Sequence, residues 1–300
     1  MCKPDQNQAV RALIVDGHAL MYRAFFGVPE RTTPEGAPSN AIFGFIRSLQ
    51  RVIDLLRPTH GIVSWDDGLD PGRLALLPGY KANRPVMPDK LRTQFDPILE
   101  WLSLTGWRSI SRKDAESDDI IGTLAGEFER AGIETLIMTP DKDFMQLVSP
   151  LVSLWRVVRD KEDWFTAEDV LEKTGVRPDQ VVDWLSLIGD ACDNIAGVPK
   201  VGPKTAAKLL NEFGSVPALY ERIEEVQPER VRKLLIENRA LVERNRSLVR
   251  LKAVPECVMA PEEMRIGTPD ADKIVKFLGD WGLRSLVHRW LEPPQMQQAE

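Results

Sequence analysis

The stretch "ESDDIIGTLAGEFERAGIETLIMTPDKD", from Glu116 to Asp143, decides the fold that the sequence predicts. Its first half has apolar residues at helical spacing, so the acids at its start share the first turn of a helix. Its second half, "IETLIMT", is typical of a short buried strand. We expect the helix to end near Gly132 and the strand to deliver Asp141 and Asp143 into a turn. One helix and one strand therefore gather several acids.

The acids at the start of this helix are Glu116, Asp118 and Asp119. The helix dipole alone favours acidic residues in a first turn, so these three by themselves do not identify a site. Carboxylates at close quarters repel one another, however, and burying them without partners is costly. A cluster of them needs bound cations or separation in space, and strand-end acids elsewhere in the chain bear on that choice.

Two earlier apolar runs also end in acid. "RALIVDG" ends at Asp16, and "THGIVSWDD" ends at Asp66 and Asp67. Between them the sequence predicts a polar loop and then an amphipathic helix, "SNAIFGFIRSLQRVIDLLRP", capped by Ser39 or Asn40. Strands that alternate with helices predict a parallel sheet whose site lies at the carboxyl ends of the strands. A lone strand-end Asp is more often a turn former, but three such ends beside an acidic helix start favour a metal site.

The composition is that of an ordinary globular chain, with 300 residues, 43% hydrophobic content and a net charge of −6. No apolar run approaches a membrane span and no signal peptide is apparent, so we expect a cytoplasmic protein that does not associate with membranes. Cys2, Cys192 and Cys257 have no paired spacing and are expected to be free thiols. The histidines have no metal-ligand spacing, so any metal should be a hard ion with oxygen ligands, such as Mg²⁺ or Mn²⁺.

The connection "DGLDPGRLALLPGYKANRPVMPD" is long, rich in Pro and Gly, and carries Arg73, Lys81 and Arg84. A connection of this length in a compact domain is usually a functional loop or a lid. The alternative is a merely solvated loop. Basic groups opposite an acidic, metal-binding edge suit a substrate that carries phosphate.

The segment "DQVVDWLSLIGDACDNIAGVPKVGPKTAAKLLNEFG" predicts a helix, a tight Gly/Pro hairpin and a second helix. Asp190 and Asp193, at the end of the first helix, add two carboxylates. Small hairpin residues leave backbone N–H groups free to approach phosphate, and Lys200, Lys204 and Lys208 surround them. Such an element binds duplex DNA through its backbone, although an ordinary pair of antiparallel helices is the alternative. The rest of the chain predicts a basic helical segment, two short helices and a disordered Gln-rich tail.

Five motifs together make the pattern specific, namely "LIVDGHALMYRAFF", "YKANRPVMP", "AESDDIIGTLA", "TPDKDFMQLV" and "GDACDNIAGVPKVGPKTAAKLL". In this order they resemble the bacterial 5′-nuclease family, which comprises the 5′→3′ exonuclease domain of DNA polymerase I and stand-alone flap endonucleases. The match covers roughly residues 10–250. No polymerase-like sequence follows, so we expect the stand-alone form.

The resemblance implies an α/β fold, with a mostly parallel central sheet flanked by helices in a PIN-like core, a helical arch and a C-terminal helix-hairpin-helix region. It divides the chain into a nuclease core at residues 1–176 with the arch at about 68–92, a helical region at 177–290 and a tail at 291–300. Gly72, Pro140 and Ala196 depart from the usual motifs, at the arch and at two local turns rather than at the acids.

The resemblance also implies roles for single residues. Acids for a first metal ion are Asp16, Asp66, Glu116 and Asp118. Acids for a second ion are Asp119, Asp141, Asp143, Asp190 and Asp193. Arch residues that act at the scissile phosphate are Tyr80, Lys81 and Arg84. Residues that bind DNA are Arg73, Gly197, Val198, Lys200, Val201, Gly202, Lys204, Thr205 and Lys208.

The implied activity is that of a structure-specific 5′→3′ exonuclease and flap endonuclease, which hydrolyses DNA phosphodiesters with two or more Mg²⁺ or Mn²⁺ ions. Its roles would be Okazaki fragment processing in replication, and repair. We expect a monomer that binds DNA with a 5′ flap or 5′ end, with K⁺ at the hairpin. One alternative is a protein that binds branched DNA with little or no cleavage. Another is an enzyme that, like RNase H, removes RNA 5′ ends from RNA–DNA hybrids.

Overall fold

The computed structural model describes residues 12–158 and 161–291. Its α-helices are α1 Gly17–Gly27, α2 Asn40–Leu56, α3 Pro71–Leu76, α4 Asp89–Arg92, α5 Phe95–Leu104, α6 Ser117–Arg130, α7 Ala167–Thr174, α8 Val181–Ile188, α9 Pro203–Phe213, α10 Val216–Glu221, α11 Glu229–Glu237, α12 Arg239–Val249, α13 Ala271–Asp280 and α14 His288–Leu291. Its strands are β1 Ala12–Asp16, β2 His60–Asp67, β3 Arg108–Lys113, β4 Thr135–Met138, β5 Val152–Val158, β6 Lys161–Phe165, β7 Gly189–Asp190 and β8 Ile195–Ala196. Short 3₁₀ helices span Asp143–Leu147, Pro178–Gln180, Ile223–Glu225, Pro255–Cys257, Pro261–Met264 and Arg284–Leu286.

The described chain divides into two compact units. The first contains residues 12–65, 86–111 and 259–291, and the second contains residues 66–85, 112–158 and 161–258. Strands β2 and β3 begin in the first unit and end in the second. The boundary that the sequence places after residue 176 stays a prediction.

Strands β1 and β2 form the centre of the first unit. They are parallel, with Ala12 opposite His60 and Asp16 opposite Ser64, and the strand order continues from β1 through β2 to β3. Every residue of β1 is buried, which is the pattern of a strand covered on both faces. Since its last residue is Asp16, the buried strand ends in a carboxylate.

The ring of Trp65, near the end of β2, explains why glycine follows Asp16. Trp65 contacts Phe95 edge to face, with centroids 4.9 Å apart, and stacks on Phe45 at 5.9 Å. A Cβ atom at Gly17 would lie 2.5 Å from the Trp65 ring. The strand can therefore turn into α1 at this point only because position 17 has no side chain.

Two local predictions for the first unit were wrong. The segment after Asp16 is helix α1 rather than a loop, and the Asp16 carboxylate caps it by accepting from the N–H of Ala19 at 3.0 Å. Neither Ser39 nor Asn40 caps α2 with its side chain. Instead the buried Gln94 side chain accepts from two N–H groups in the first turn of α2, at 2.7 and 3.2 Å. A side chain from a distant part of the chain thus does what a local cap was expected to do.

The sheet of the second unit has the strand order β4, β5, β6. Strands β4 and β5 are parallel, with Thr135 opposite Val152, and β6 is antiparallel to β5, with Phe165 opposite Leu154. Helix α6 ends at Arg130 and a left-handed glycine follows two residues later, as predicted. Strand β1 is thus parallel to β2, and β4 is parallel to β5. Helices flank these parallel pairs, which confirms the predicted fold class.

The helix-hairpin-helix element differs from the prediction at one point. Helix α8 ends at Ile188, and the two-residue strands β7 and β8 then pair with each other. Gly189 has a φ of 76°, and a Cβ atom there would lie 2.3 Å from the backbone nitrogen of Gly197. Asp190 therefore lies in β7 and Asp193 in the turn that follows, rather than at the end of the helix, because the close backbone pairing stops α8.

Two expectations from composition concern the cysteines and membranes. Cys192 and Cys257 are free thiols, whereas Cys2 lies outside the described residues, as do residues 292–300 of the predicted tail. Of the helices in residues 12–158 and 161–291, none has both the length and the apolar character that crossing a bilayer requires.

Candidate active site

Acids from three places in the second unit form a buried cluster. Asp143 begins a 3₁₀ helix after β4, and Asp190 and Asp193 lie in and after β7. One carboxylate oxygen from each of these three residues lies within 4.8 Å of the others. Asp141 adjoins them, and its Oδ1 accepts from the N–H of Asp143 at 3.0 Å. These distances allow one cation to contact all three carboxylates.

The electrostatics of this cluster indicate a cation ligand. Burial raises the pKa of Asp143 well above its usual range, and the neighbouring charges of Asp141 and Asp190 raise it further. The pKa of Asp141 is also raised, first by burial and then by Asp193 and Asp190. Asp143 Oδ1 is buried and has no hydrogen-bond partner. A buried acceptor without a partner costs about 1–3 kcal/mol, so these oxygens fit a hard cation such as Mg²⁺ or Mn²⁺.

Glu116, at the start of α6, is fully buried and held through both of its oxygens. Its Oε2 accepts from Tyr80 Oη at 3.0 Å and from Lys81 Nζ. Its Oε1 lies 3.1 Å from Arg73 Nη1. Burial alone would raise the pKa of Glu116, but the positive charges of Lys81 and Arg73 outweigh it and hold the pKa below its usual value. Glu116 is therefore ionised.

Asp66 and Asp118 lie beside the same helix start and are more accessible. Asp66 is exposed at the end of β2 and accepts from the N–H of Ser117 at 2.8 Å. Asp118 lies 3.6 Å from Lys81 Nζ. The neighbouring Asp67 is exposed, and its backbone oxygen accepts from the N–H of Asp114. Asp66 and Asp118 thus present carboxylates at the surface of the second unit, beside the buried Glu116.

Lys81 joins the two groups of acids. Besides its contacts with Glu116 and Asp118, its Nζ lies 3.8 Å from Asp193. The backbone at Lys81 is left-handed, with a φ of 55°, and its N–H donates to the Asp193 carbonyl at 3.0 Å. Burial would lower the pKa of Lys81, but the surrounding acids outweigh it and raise the pKa, so the ammonium stays charged. Arg84 adds a bond of 2.5 Å to Asp193.

Lys142 is a basic residue of the cluster that the sequence interpretation missed. Its Nζ donates to Asp190 Oδ1 at 2.8 Å. Burial would lower the pKa of Lys142, but its bond to Asp190 outweighs burial and the pKa is raised. The signal was present in the motif "TPDKD", where this lysine stands between two of the predicted acids.

Arg73 and Asp119 are brought together in a way that the sequence did not predict. Arg73 is 2% exposed, and its guanidinium donates to both oxygens of Asp119, at 2.6 and 2.8 Å. Arg73 was predicted to bind DNA, and since its side chain is buried that assignment stays a prediction from the sequence. Asp119 was predicted to bind metal, and the structure gives its carboxylate to Arg73.

The predicted DNA-binding hairpin lies on the surface of the second unit. Its cations are exposed, whereas the side chains of Val198 and Val201 are buried beneath the backbone. Helix α9 begins at Pro203 directly after Gly202, so the N–H groups of its first turn follow the hairpin backbone in the chain. The exposed cations are Lys200, Lys204 and Lys208. Gly197 and Thr205, also predicted to bind DNA, are half-buried.

Asp16 belongs to the first unit and is described with it. Its side chain is 7% exposed, and one of its oxygens caps α1. Its assignment as a metal ligand stays a prediction from the sequence.

Two family models match consecutive parts of the chain. Residues 11–175 match "5'-3' exonuclease, N-terminal resolvase-like domain", and residues 176–272 match "5'-3' exonuclease, C-terminal SAM fold". The 5'-3' exonuclease of Aquifex aeolicus is 36% identical over 274 residues, which are 91% of this chain and 93% of that protein. DNA polymerase I of Bacillus subtilis is 34% identical over 283 residues. The matched region is 93% of this chain but only 32% of that protein.

Solved structures show the same fold. The bacteriophage T5 D15 flap endonuclease, in a complex with DNA and metal ions, has a TM-score of 0.67 at 20% identity and covers 93% of this chain and 96% of its own. The catalytic core of Rad2 in complex with DNA substrate has a TM-score of 0.66 at 17% identity, with 96% and 93% coverage.

Proposed function

Because this chain belongs to the 5′-3′ exonuclease family, we propose that it is a metal-dependent nuclease that cuts DNA at 5′ flaps and removes nucleotides from 5′ ends. The observation that carries the proposal is the buried group of Asp143, Asp190 and Asp193, in which one Asp143 oxygen has no partner and basic side chains stand beside the acids. Two similar proteins support the proposal. One is named a 5'-3' exonuclease, and the other is a flap endonuclease whose structure contains DNA and metal ions. We place the activity in replication and repair because DNA polymerase I proteins contain a matching region.

We assign the metal ligands to two groups. Divalent ions bound there would activate the attacking water and stabilise charge on the leaving oxygen. The donors are all carboxylate oxygens, so Mg²⁺ or Mn²⁺ is the expected metal. Ligands of one ion are Asp66, Glu116 and Asp118, and ligands of the other are Asp141, Asp143, Asp190 and Asp193.

The basic residues of the arch act on the phosphate. Lys81 and Arg84 stand among the acids, so a phosphate held there would receive charged hydrogen bonds from both. Such bonds strengthen as negative charge develops on the phosphate, which is how they would lower the barrier. Burial raises the pKa of Tyr80, so its hydroxyl keeps its proton and orients Glu116 by donating to it.

The hairpin provides the grip on duplex DNA. Its exposed lysines and the free N–H groups of α9 can bind phosphates of one strand. The hairpin backbone would also bind a K⁺ ion. Phosphate contacts do not distinguish sequences, so we expect binding that depends on DNA shape and on salt.

Replacing Lys200, Lys204 and Lys208 together with alanine is expected to weaken binding to a flap on duplex DNA while leaving cleavage at saturating DNA nearly unchanged. Each lost phosphate contact should lower the slope of log affinity against log salt by about 1. Fluorescence anisotropy at several salt concentrations measures this. The exposed Lys233, Lys273 and Lys276 serve as the matched control triple. An unchanged slope in the hairpin variant would contradict the assignment.

The function is tested with a 5′-end-labelled flap on duplex DNA, incubated with Mg²⁺ or Mn²⁺ and then with EDTA. We expect products of flap length that disappear when EDTA is added. Tight binding without cleavage under either metal would favour the branched-DNA-binding alternative. A hybrid with an RNA 5′ end, run in parallel, distinguishes preference for RNA, and size-exclusion chromatography tests the expected monomer.

A further inference from the structure

Arg73 is engaged by protein acceptors. Its Nε donates to the Leu248 carbonyl at 2.9 Å, and Nη2 donates to the Arg250 carbonyl at 3.1 Å as well as to Asp119. Its Nη1 is shared between Asp119 at 2.6 Å and Glu116 at 3.1 Å. A guanidinium has five N–H donors, of which four make hydrogen bonds here, and Nη1 also pairs with the Glu116 carboxylate. With its side chain 2% exposed and its guanidinium surrounded by these acceptors, Arg73 offers no surface to a DNA phosphate.

Asp119 is engaged by buried partners in the same way. Its Oδ2 accepts from Arg73 Nη1, and its Oδ1 accepts from Arg73 Nη2 and from the backbone N–H of Lys252 at 2.8 Å. The side chain is 4% exposed. To bind a metal, this carboxylate would have to give up a buried bidentate pair, which is the strongest arrangement of its kind. Asp143, whose Oδ1 has no partner, faces no such competition, and Glu116 is held by three separate side chains in place of one bidentate pair.

The pair joins three elements at the base of the predicted arch. Arg73 lies in α3, Asp119 in the first turn of α6, and the carbonyls that accept from Arg73 end α12. Helix α3 begins the segment that carries Lys81, and Arg73 also contacts Glu116. The pair therefore sets where this segment stands relative to the start of α6.

We propose that Arg73 and Asp119 form a buried positioning pair that holds Glu116 in place and contacts neither DNA nor metal. The expected effect on cleavage rests on the proposed function. The effect on metal affinity rests on the assignment of Glu116 as a metal ligand, whereas the effect on stability rests on neither, so the two ideas can fail separately.

The test compares three variants, Arg73→Met, Asp119→Leu and the double variant. Each single change leaves a buried charge without its partner, and should lower Tm by about 10 °C. It should also weaken Mn²⁺ binding, measured by calorimetry without DNA, by about 10- to 100-fold, as loss of a residue that orients a ligand does. The double variant removes both charges and should recover part of the Tm, but it lacks the Arg73 contact with Glu116, so its Mn²⁺ binding should stay about as weak as in Arg73→Met.

The double variant also tests the two roles that we exclude, namely metal binding by Asp119 and phosphate binding by Arg73. If Asp119 were a metal ligand, Mn²⁺ binding would be markedly weaker in the double variant than in Arg73→Met. If Arg73 bound a phosphate, the slope of log affinity against log salt for flap binding would fall by about 1 in this variant. Either result would overturn the proposal, and so would a double variant no more stable than the single ones.

A second ion pair in the same unit serves as a control for a purely structural role of Arg73. Arg246 Nε donates to Asp183 Oδ1 at 2.7 Å. The change Arg246→Met should lower Tm without weakening Mn²⁺ binding. If the Arg73 and Arg246 variants lose Mn²⁺ affinity to the same extent, Arg73 has no special role beside Glu116. With active enzyme, kcat should fall about 100-fold in Arg73→Met with KM for flap DNA little changed, since positioning acts on the reacting groups.

Discussion

Replacing Asp143 with asparagine is expected to lower flap cleavage at saturating metal by about 10³-fold or more, since a lost carboxylate ligand removes several kcal/mol of charge stabilisation. Affinity for the flap should change little, because the duplex contacts that we propose lie at the hairpin. Single-turnover cleavage with Mg²⁺ or Mn²⁺ measures the first effect, and anisotropy in Ca²⁺ measures the second.

The same variant has an informative effect on stability. Burial and three neighbouring acids raise the pKa of Asp143, so the ionised group is unfavourable in the folded chain. Asparagine removes that charge, and the Tm without added metal should rise, whereas the further rise on adding Mn²⁺ should shrink. Asp280→Asn, at an exposed acid paired with Lys276, is the matched control and should change neither quantity. Full cleavage by the Asp143 variant would contradict the assignment of Asp143 as a metal ligand.

Replacing Lys81 with methionine should lower kcat by about 10²- to 10³-fold, the effect typical of losing one donor to a developing charge. KM for flap DNA should stay within a small factor, because the contact strengthens in the transition state. Lys81→Arg, which keeps the charge, should recover part of the rate. A raised KM with unchanged kcat would show that Lys81 only binds DNA.

Stability separates the two duties of Lys81. Its ammonium is buried against Glu116, and removing one partner of a buried pair costs about 3–5 kcal/mol. The methionine variant should therefore melt lower without metal and regain more stability than the unaltered chain when Mn²⁺ is added. The control is Lys90→Met, since Lys90 pairs with Glu30 at the surface and should change neither melting nor rate.

The family and the fold class were both predicted from the sequence and are confirmed. The motifs are short, and their residue types are required by local geometry: an acid that ends a buried strand, acids in a first helical turn, and glycines in a tight hairpin. The spacing within one element decides which side chains share a face, so such motifs carry their meaning along the chain. The acids of "TPDKD" and "GDACD" could be named for this reason.

Other features had no local signal. Strand β3 is exposed along almost its whole length and lacks an apolar run, so its sequence does not predict a strand. The cap of α2 comes from Gln94, more than 50 residues away along the chain. Asp190 and Asp193 were assigned to a helix end, because only the close approach of Gly189 to Gly197 reveals the strand pair.

The sequence by itself determined that this chain is a 5′-3′ exonuclease family member with carboxylates at strand ends and helix starts, because those positions follow from periodicity and turn chemistry. Only the tertiary structure decided what each charge does. Asp118 and Asp119 are adjacent, yet they project about 100° apart around α6, one towards Lys81 and the other into Arg73. Arg73 lies 46 residues from Asp119 and 177 from the Arg250 carbonyl. Partners so far apart in the chain are chosen by packing, which no local spacing records.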